Sequence, residues 1–154
     1  MKPGLSRLAK VAVLVSVATV LWQGNDLVSY FNLPSGAGLH GDDHLLDSNI
    51  DWGQDLYGLS KWYDAQETST PLYHSVDRPI LPEILGVPGS EVGAEAFYGD
   101  VPVPPGYYAI SVNILRGYPT PSSTSRFFRD QTCIANVGNS IRIFLVSSPE
   151  KIGE

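Results

Sequence analysis

The run YYAISVNIL at residues 107–115 decides the fold. Its β-branched and aromatic make-up, introduced by Pro104, Pro105 and Gly106, predicts a buried strand, because such side chains pack best on a pleated surface. Downstream, SIRIFLV at residues 140–146 alternates as a sheet strand does, with Arg142 pointing outward. Upstream, Pro71 closes one region, and LYHSV at residues 72–76 has the size and composition of a short strand. Trp52, Leu56, Leu59 and Tyr63 recur at helical spacing, and Ser48 followed by Asp51 resembles a capping box, so a helix is expected over residues 49–65. Residues 119–125 read as a turn-rich link and residues 125–131 as a short helix. The Pro- and Gly-rich stretch 78–105 reads as a structured loop excursion, with short helical turns near residues 83–85 and 91–97. Helix, strand, loop, strand, helix, strand is the order of a small mixed α/β layered domain.

A chain of 154 residues, 43% hydrophobic and 17% charged, holds apolar material for one core. Lys2, Arg7 and Lys10 account for three of the ten basic residues and precede the first acid, Asp26, leaving seven basic against sixteen acidic side chains beyond them. Such an acidic body repels polyphosphate and offers no basic stripe, which excludes a nucleic-acid partner. The single cysteine, Cys133, excludes an internal disulfide and reads as a small buried hydrophobe beside a strand.

The run VAVLVSVATVLW at residues 11–22 follows these basic residues and precedes a polar stretch. Extended back to Leu5, with Arg7 and Lys10 bending toward headgroups, it makes a helix of roughly 27 Å at about 1.5 Å per residue. The expectation is a single N-terminal transmembrane helix, with Leu14, Val17, Leu21 and Trp22 as the membrane anchor and Tyr30 and Phe31 near the far interface. Signal-peptide cleavage is the competing reading, but Val20, Leu21, Trp22 and Gln23 suit it poorly. The chain then divides into an anchor at 1–26, an interfacial segment and polar loop at 27–46, and an extracytoplasmic α/β domain at 47–154. The positive-inside rule puts the N-terminus in the cytoplasm of a bacterial inner membrane and the domain in the periplasm.

The stretches LVSYFN (27–32), LLDSNIDWGQDLYGLSKWYDAQ (45–66), PGYYAISVNILRG (105–117) and IANVGNSIRIFLV (134–146) resemble, in order, the C-terminal portion of bacterial polytopic glycosyltransferases related to dolichyl-phosphate-mannose protein mannosyltransferases. Asp47, Ser48, Asn49, Asp51, Trp52, Gly53, Gln54, Asp55 and Leu56 form the most specific block. A weaker block comprises Gly106, Tyr108, Ala109, Ile110 and Ser111. The many-helix catalytic portion of that family and its early acidic motif have no counterpart here, so the resemblance implies a tail domain without transferase activity, on the extracytoplasmic side.

Two clusters compete for a chemical role. Asp51 and Asp55 stand one helical turn apart and so share a face, as acid/base pairs or metal ligands require, although capping a helix N-terminus explains them too. Asn49 and Gln54 have groups suited to a sugar hydroxyl or to fixing a turn. In HGDDH (40–44), His40, Asp42 and His44, with Asp43, supply metal-type ligands in a Gly-rich loop, which also reads as an ordinary solvated segment. No Gly-x-Ser-x-Gly turn or phosphate loop occurs, so neither acyl transfer nor nucleotide binding is expected, and no cofactor is implied. The chain is expected to act as a non-catalytic accessory subunit bracing a larger complex of integral membrane proteins, in contact with membrane lipid. The alternatives are a module that binds carbohydrate or polyprenol-linked sugar for a separate glycosyltransferase, and a metal-dependent hydrolase built on the HGDDH loop.

Overall fold

A computed structural model describes residues 3–24, 38–43, 45–46, 50–76, 81–92, 103–119 and 121–149. In chain order the elements are α1 (Pro3–Gln23), a 3-10 turn (Gly38–Asp43), α2 (Leu56–Asp64), β1 (Leu72–Ser75), a second 3-10 turn (Pro82–Leu85), β2 (Ser90–Glu91), β3 (Gly106–Ser111), α3 (Val112–Leu115), α4 (Ser123–Arg129), β4 (Cys133–Val137) and β5 (Ile141–Val146).

The five strands form one sheet in the order β2-β1-β3-β5-β4. β1 runs parallel to β2 and β3, whereas β5 is antiparallel to both β3 and β4. Alternation along β3 and β5 splits the core between the two faces of the sheet. Ala109, Ile141 and Ile143 meet Leu56 and Leu59 of α2 on one face. Tyr108, Ile110, Phe144 and Val146 meet Phe128 of α4 on the other. Close approach of α2 is allowed by Gly58, where an added Cβ would press on a methyl of Val137 at 3.0 Å.

Several expected boundaries move, each for a local reason. The strand predicted over residues 107–115 ends at Ser111, where the Val112 amide turns to donate to the Ser140 carbonyl at 2.8 Å. Val112–Leu115 then closes a helical turn despite its β-branched residues, because burial of Val112 and packing of Ile114 and Leu115 outweigh weak local propensity. α2 begins at Leu56, after Gly53 at φ +79°, a backbone conformation that does not continue a helix. α4 starts before residue 125 because Ser122 and Ser125 form a reciprocal capping box. The helical turn expected at residues 83–85 is present as the second 3-10 turn. Most of the turn expected over residues 91–97 lies outside the described residues, and Glu91 itself is in β2.

The membrane anchor is corrected. Residues 3–23 are helical, and Leu14, Val17, Leu21 and Trp22 are exposed, but among the described residues no helix is long and apolar enough to cross a membrane. Arg7 and Lys10 interrupt the first half of α1, leaving only residues 11–22 uncharged and largely apolar, against the roughly 20 residues a bilayer core requires. A single-pass topology and an inner-membrane placement with a cytoplasmic N-terminus therefore lose their basis. The fold class becomes a mixed α/β domain on a five-stranded sheet, with no transmembrane helix among the described residues. Tyr30 and Phe31 lie outside those residues.

Candidate functional site

The block around Asp51 and Asp55 lies against one end of the sheet, and both residues are buried. Asp51 Oδ2 accepts from the Ser111 hydroxyl at 2.6 Å, and its Oδ1 accepts from the Gly53 amide at 2.8 Å. Asp55 Oδ2 accepts from both the amide and the hydroxyl of Ser140, at 2.9 and 2.7 Å. Ser111 and Ile141 are paired across β3 and β5, so the two carboxylates reach neighbouring points on the same sheet end. Gln54 is turned inward on its own loop, donating to the Ile50 carbonyl and accepting from the Trp52 amide, both at 2.8 Å. Trp52 is exposed. These bonds make the block a clamp between the start of α2 and the sheet, with both Asp51 oxygens and Asp55 Oδ2 committed to protein donors. Asp47, Ser48 and Asn49 lie outside the described residues.

The other constellation is a cleft of about 550 Å³ on the opposite face, bordered by the ends of α3 and α4 and by β4 and β5. Its apolar lining is Val112, Leu115, Phe128 and Phe144. Around this lining stand Arg116, which follows α3, Arg129 at the end of α4, Arg142 on β5, and Gln131, Cys133 and Asp42. Arg142 was expected to point outward, but its side chain is only 13% exposed. Its Nη1 donates to the Asn139 carbonyl at 3.1 Å, and its Nη2 lies 3.6 Å from Asp42 Oδ1. Arg116 Nε donates to Asp42 Oδ2 at 2.8 Å, and its Nη2 pairs with Asp43. The hydrogen bond to Asp42, opposed by partial burial and reinforced by the charges of Asp42 and Asp43, holds the Arg116 guanidinium above its ordinary range. Arg129 is exposed and makes no ion pair among the described residues. The arrangement can grip an anion through planar, multiply donating guanidiniums, over an apolar floor in which Phe128 and Phe144 are themselves buried.

The HGDDH residues are thereby divided. Asp42 faces two guanidiniums, and His40 Nδ1 lies 3.8 Å from Asp43. His44 is outside the described residues, among which no group of three or more His, Cys, Asp or Glu side chains is placed to hold a metal ion. Cys133 is exposed rather than buried, because β4 is an edge strand. Its thiol donates to the Ala135 carbonyl at 3.1 Å. Sequence reasoning passed over Arg116 and Arg129. The available signal was their position at the ends of short helical segments in a chain poor in basic residues. No protein-family model, curated protein or solved structure matches this chain.

Proposed function

We propose that this chain is a non-catalytic binding domain for a carbohydrate-type ligand, received in the cleft between α3, α4, β4 and β5. The observation that carries the reading is the combination of guanidinium and amide donors with the Asp42 acceptor around an aromatic and aliphatic lining. Sugars present matching groups: hydroxyls for the polar rim and C–H faces for the apolar floor. Binding pockets of a few hundred cubic ångströms combine these elements. The ordered similarity of the four sequence blocks to the tail portion of glycosyltransferases supports a carbohydrate ligand. In this proposal the Asp51–Asp55 block carries the fold and the cleft carries recognition.

The test is a titration of the full chain with monosaccharides, disaccharides and phosphorylated sugars, followed by calorimetry and amide NMR. The reading expects saturable binding of at least one of them, with shifts at Arg116, Phe128, Arg129 and Gln131, weakened by Arg129→Ala and Gln131→Ala. Gln54→Ala should leave it unchanged. Absence of saturation across the panel, or shifts centred on residues 50–55, would overturn the assignment.

A further inference from the structure

The carboxylate of Asp42 faces two of the guanidiniums around the cleft. It lies 2.8 Å from Arg116 Nε and 3.6 Å from Arg142 Nη2, and its side chain is 10% exposed. Asp42 comes from the 3-10 turn Gly38–Asp43, whereas Arg116 lies 74 residues downstream, so the pair joins distant parts of the chain across the cleft wall. The third guanidinium, Arg129, lines the same space with no ion pair among the described residues.

On the carbohydrate reading given above, we infer that the ligand of this cleft carries a phosphate monoester, which displaces the Asp42 carboxylate from Arg116 and Arg142 and also engages Arg129. A carboxylate has two oxygens, which here serve two guanidiniums. A phosphate monoester has three non-bridging oxygens and close to two negative charges near neutral pH, enough to serve all three. Exchange also lowers its own cost. Asp42 is released toward the rim rather than left buried without a partner, and the arginines pass from one anion to another. Asp42 therefore acts as a built-in competitor that holds the guanidiniums in place when the cleft is empty.

The test uses the full chain and three probes: inorganic phosphate, a hexose, and the corresponding hexose 6-phosphate. Side-chain Nε–Hε resonances of Arg116 and Arg142 and calorimetry report binding to the native chain, to Asp42→Asn and to Arg129→Gln. Native protein should bind the hexose phosphate about tenfold or more tighter than the hexose, the equivalent of one charge-assisted hydrogen bond. Asp42→Asn, which keeps the shape and one acceptor oxygen, should tighten inorganic phosphate severalfold. Arg129→Gln should weaken inorganic phosphate and the hexose phosphate about tenfold, and weaken the hexose by a smaller factor. Equal affinity for hexose and hexose phosphate overturns the phosphate inference and leaves the carbohydrate reading standing. Binding of inorganic phosphate with no added affinity from the sugar does the reverse. Weaker phosphate binding in Asp42→Asn, with unfolding by denaturant unchanged, overturns the exchange and makes Asp42 a positioning residue for the arginines.

Discussion

Truncating Asp55 to alanine should be the most damaging single change in the clamp. Asp55 Oδ2 is the acceptor for two donors of Ser140, which is fully buried. Alanine leaves the Ser140 amide and hydroxyl inside the fold without that acceptor, and each buried unsatisfied donor costs about 1–3 kcal/mol, so the pair costs roughly 2–6 kcal/mol. That is a large share of the ~5–15 kcal/mol that holds a domain folded. At a urea slope of about 2 kcal/mol per M, a cost near the middle of the range lowers the unfolding midpoint by about 2 M. Fluorescence-monitored urea unfolding of the full chain measures this directly. Asp55→Asn retains an acceptor oxygen and should lose less, and Asp55→Ala combined with Ser140→Ala should be less harmful than the sum of the two. A midpoint shift within about 0.3 M, or additivity of the two alanine changes within about 0.5 kcal/mol, would refute the clamp.

Three further outcomes follow from the same geometry. Gly138→Ala should destabilise by more than the roughly 1–2 kcal/mol of a left-handed backbone, since Gly138 has φ +54° and an added Cβ would collide with the Asp55 carboxylate; thermal unfolding measures it. Ser122→Ala removes the acceptor for the Ser125 amide at 3.1 Å and should cost about 0.5–2 kcal/mol, seen in urea unfolding and in faster amide exchange at the start of α4. Burial, with the nearby Tyr73 phenol adding to it, raises the Tyr108 phenol far above its ordinary value of 10.0. The folded chain thus keeps that proton more tightly than the unfolded chain, so stability is full below about pH 10 and falls as pH rises beyond it. Unfolding free energies across that range should show a shallower alkaline decline in Tyr108→Phe, which also loses the 2.8 Å bond to the Pro104 carbonyl.

What the sequence disclosed followed from the make-up and periodicity of each segment. β3, buried on both faces, was recognisable from its β-branched and aromatic composition, β5 from its alternation and α2 from its helical apolar spacing. β4 escaped notice because an edge strand has little to bury: Cys133, Ile134 and Asn136 are exposed, and the register shifts between Cys133 and Ala135. The apolar richness of residues 11–22 suggested a membrane span, but Arg7 and Lys10 limit its length. The i, i+4 spacing of Asp51 and Asp55 was visible, but their partners Ser111 and Ser140 lie 60 and 85 residues away, beyond any local pattern. The same distance effect hid the cleft. Asp42 stands in a run readable either as a solvated segment or as metal-type ligands, and its guanidinium partners come from the far end of α3 and from β5.

The separation of the clamp partners also bears on the order in which the chain assembles. The β4–β5 hairpin closes over the three residues between Val137 and Ile141 and can nucleate early, whereas joining Asp55 to Ser140 demands closure of an 85-residue loop. Non-local contacts reward the chain only after that entropy has been lost, which slows folding. The bonds that lock α2 onto the sheet thus belong to the final descent into the native basin, and weakening them should accelerate unfolding far more than it delays folding.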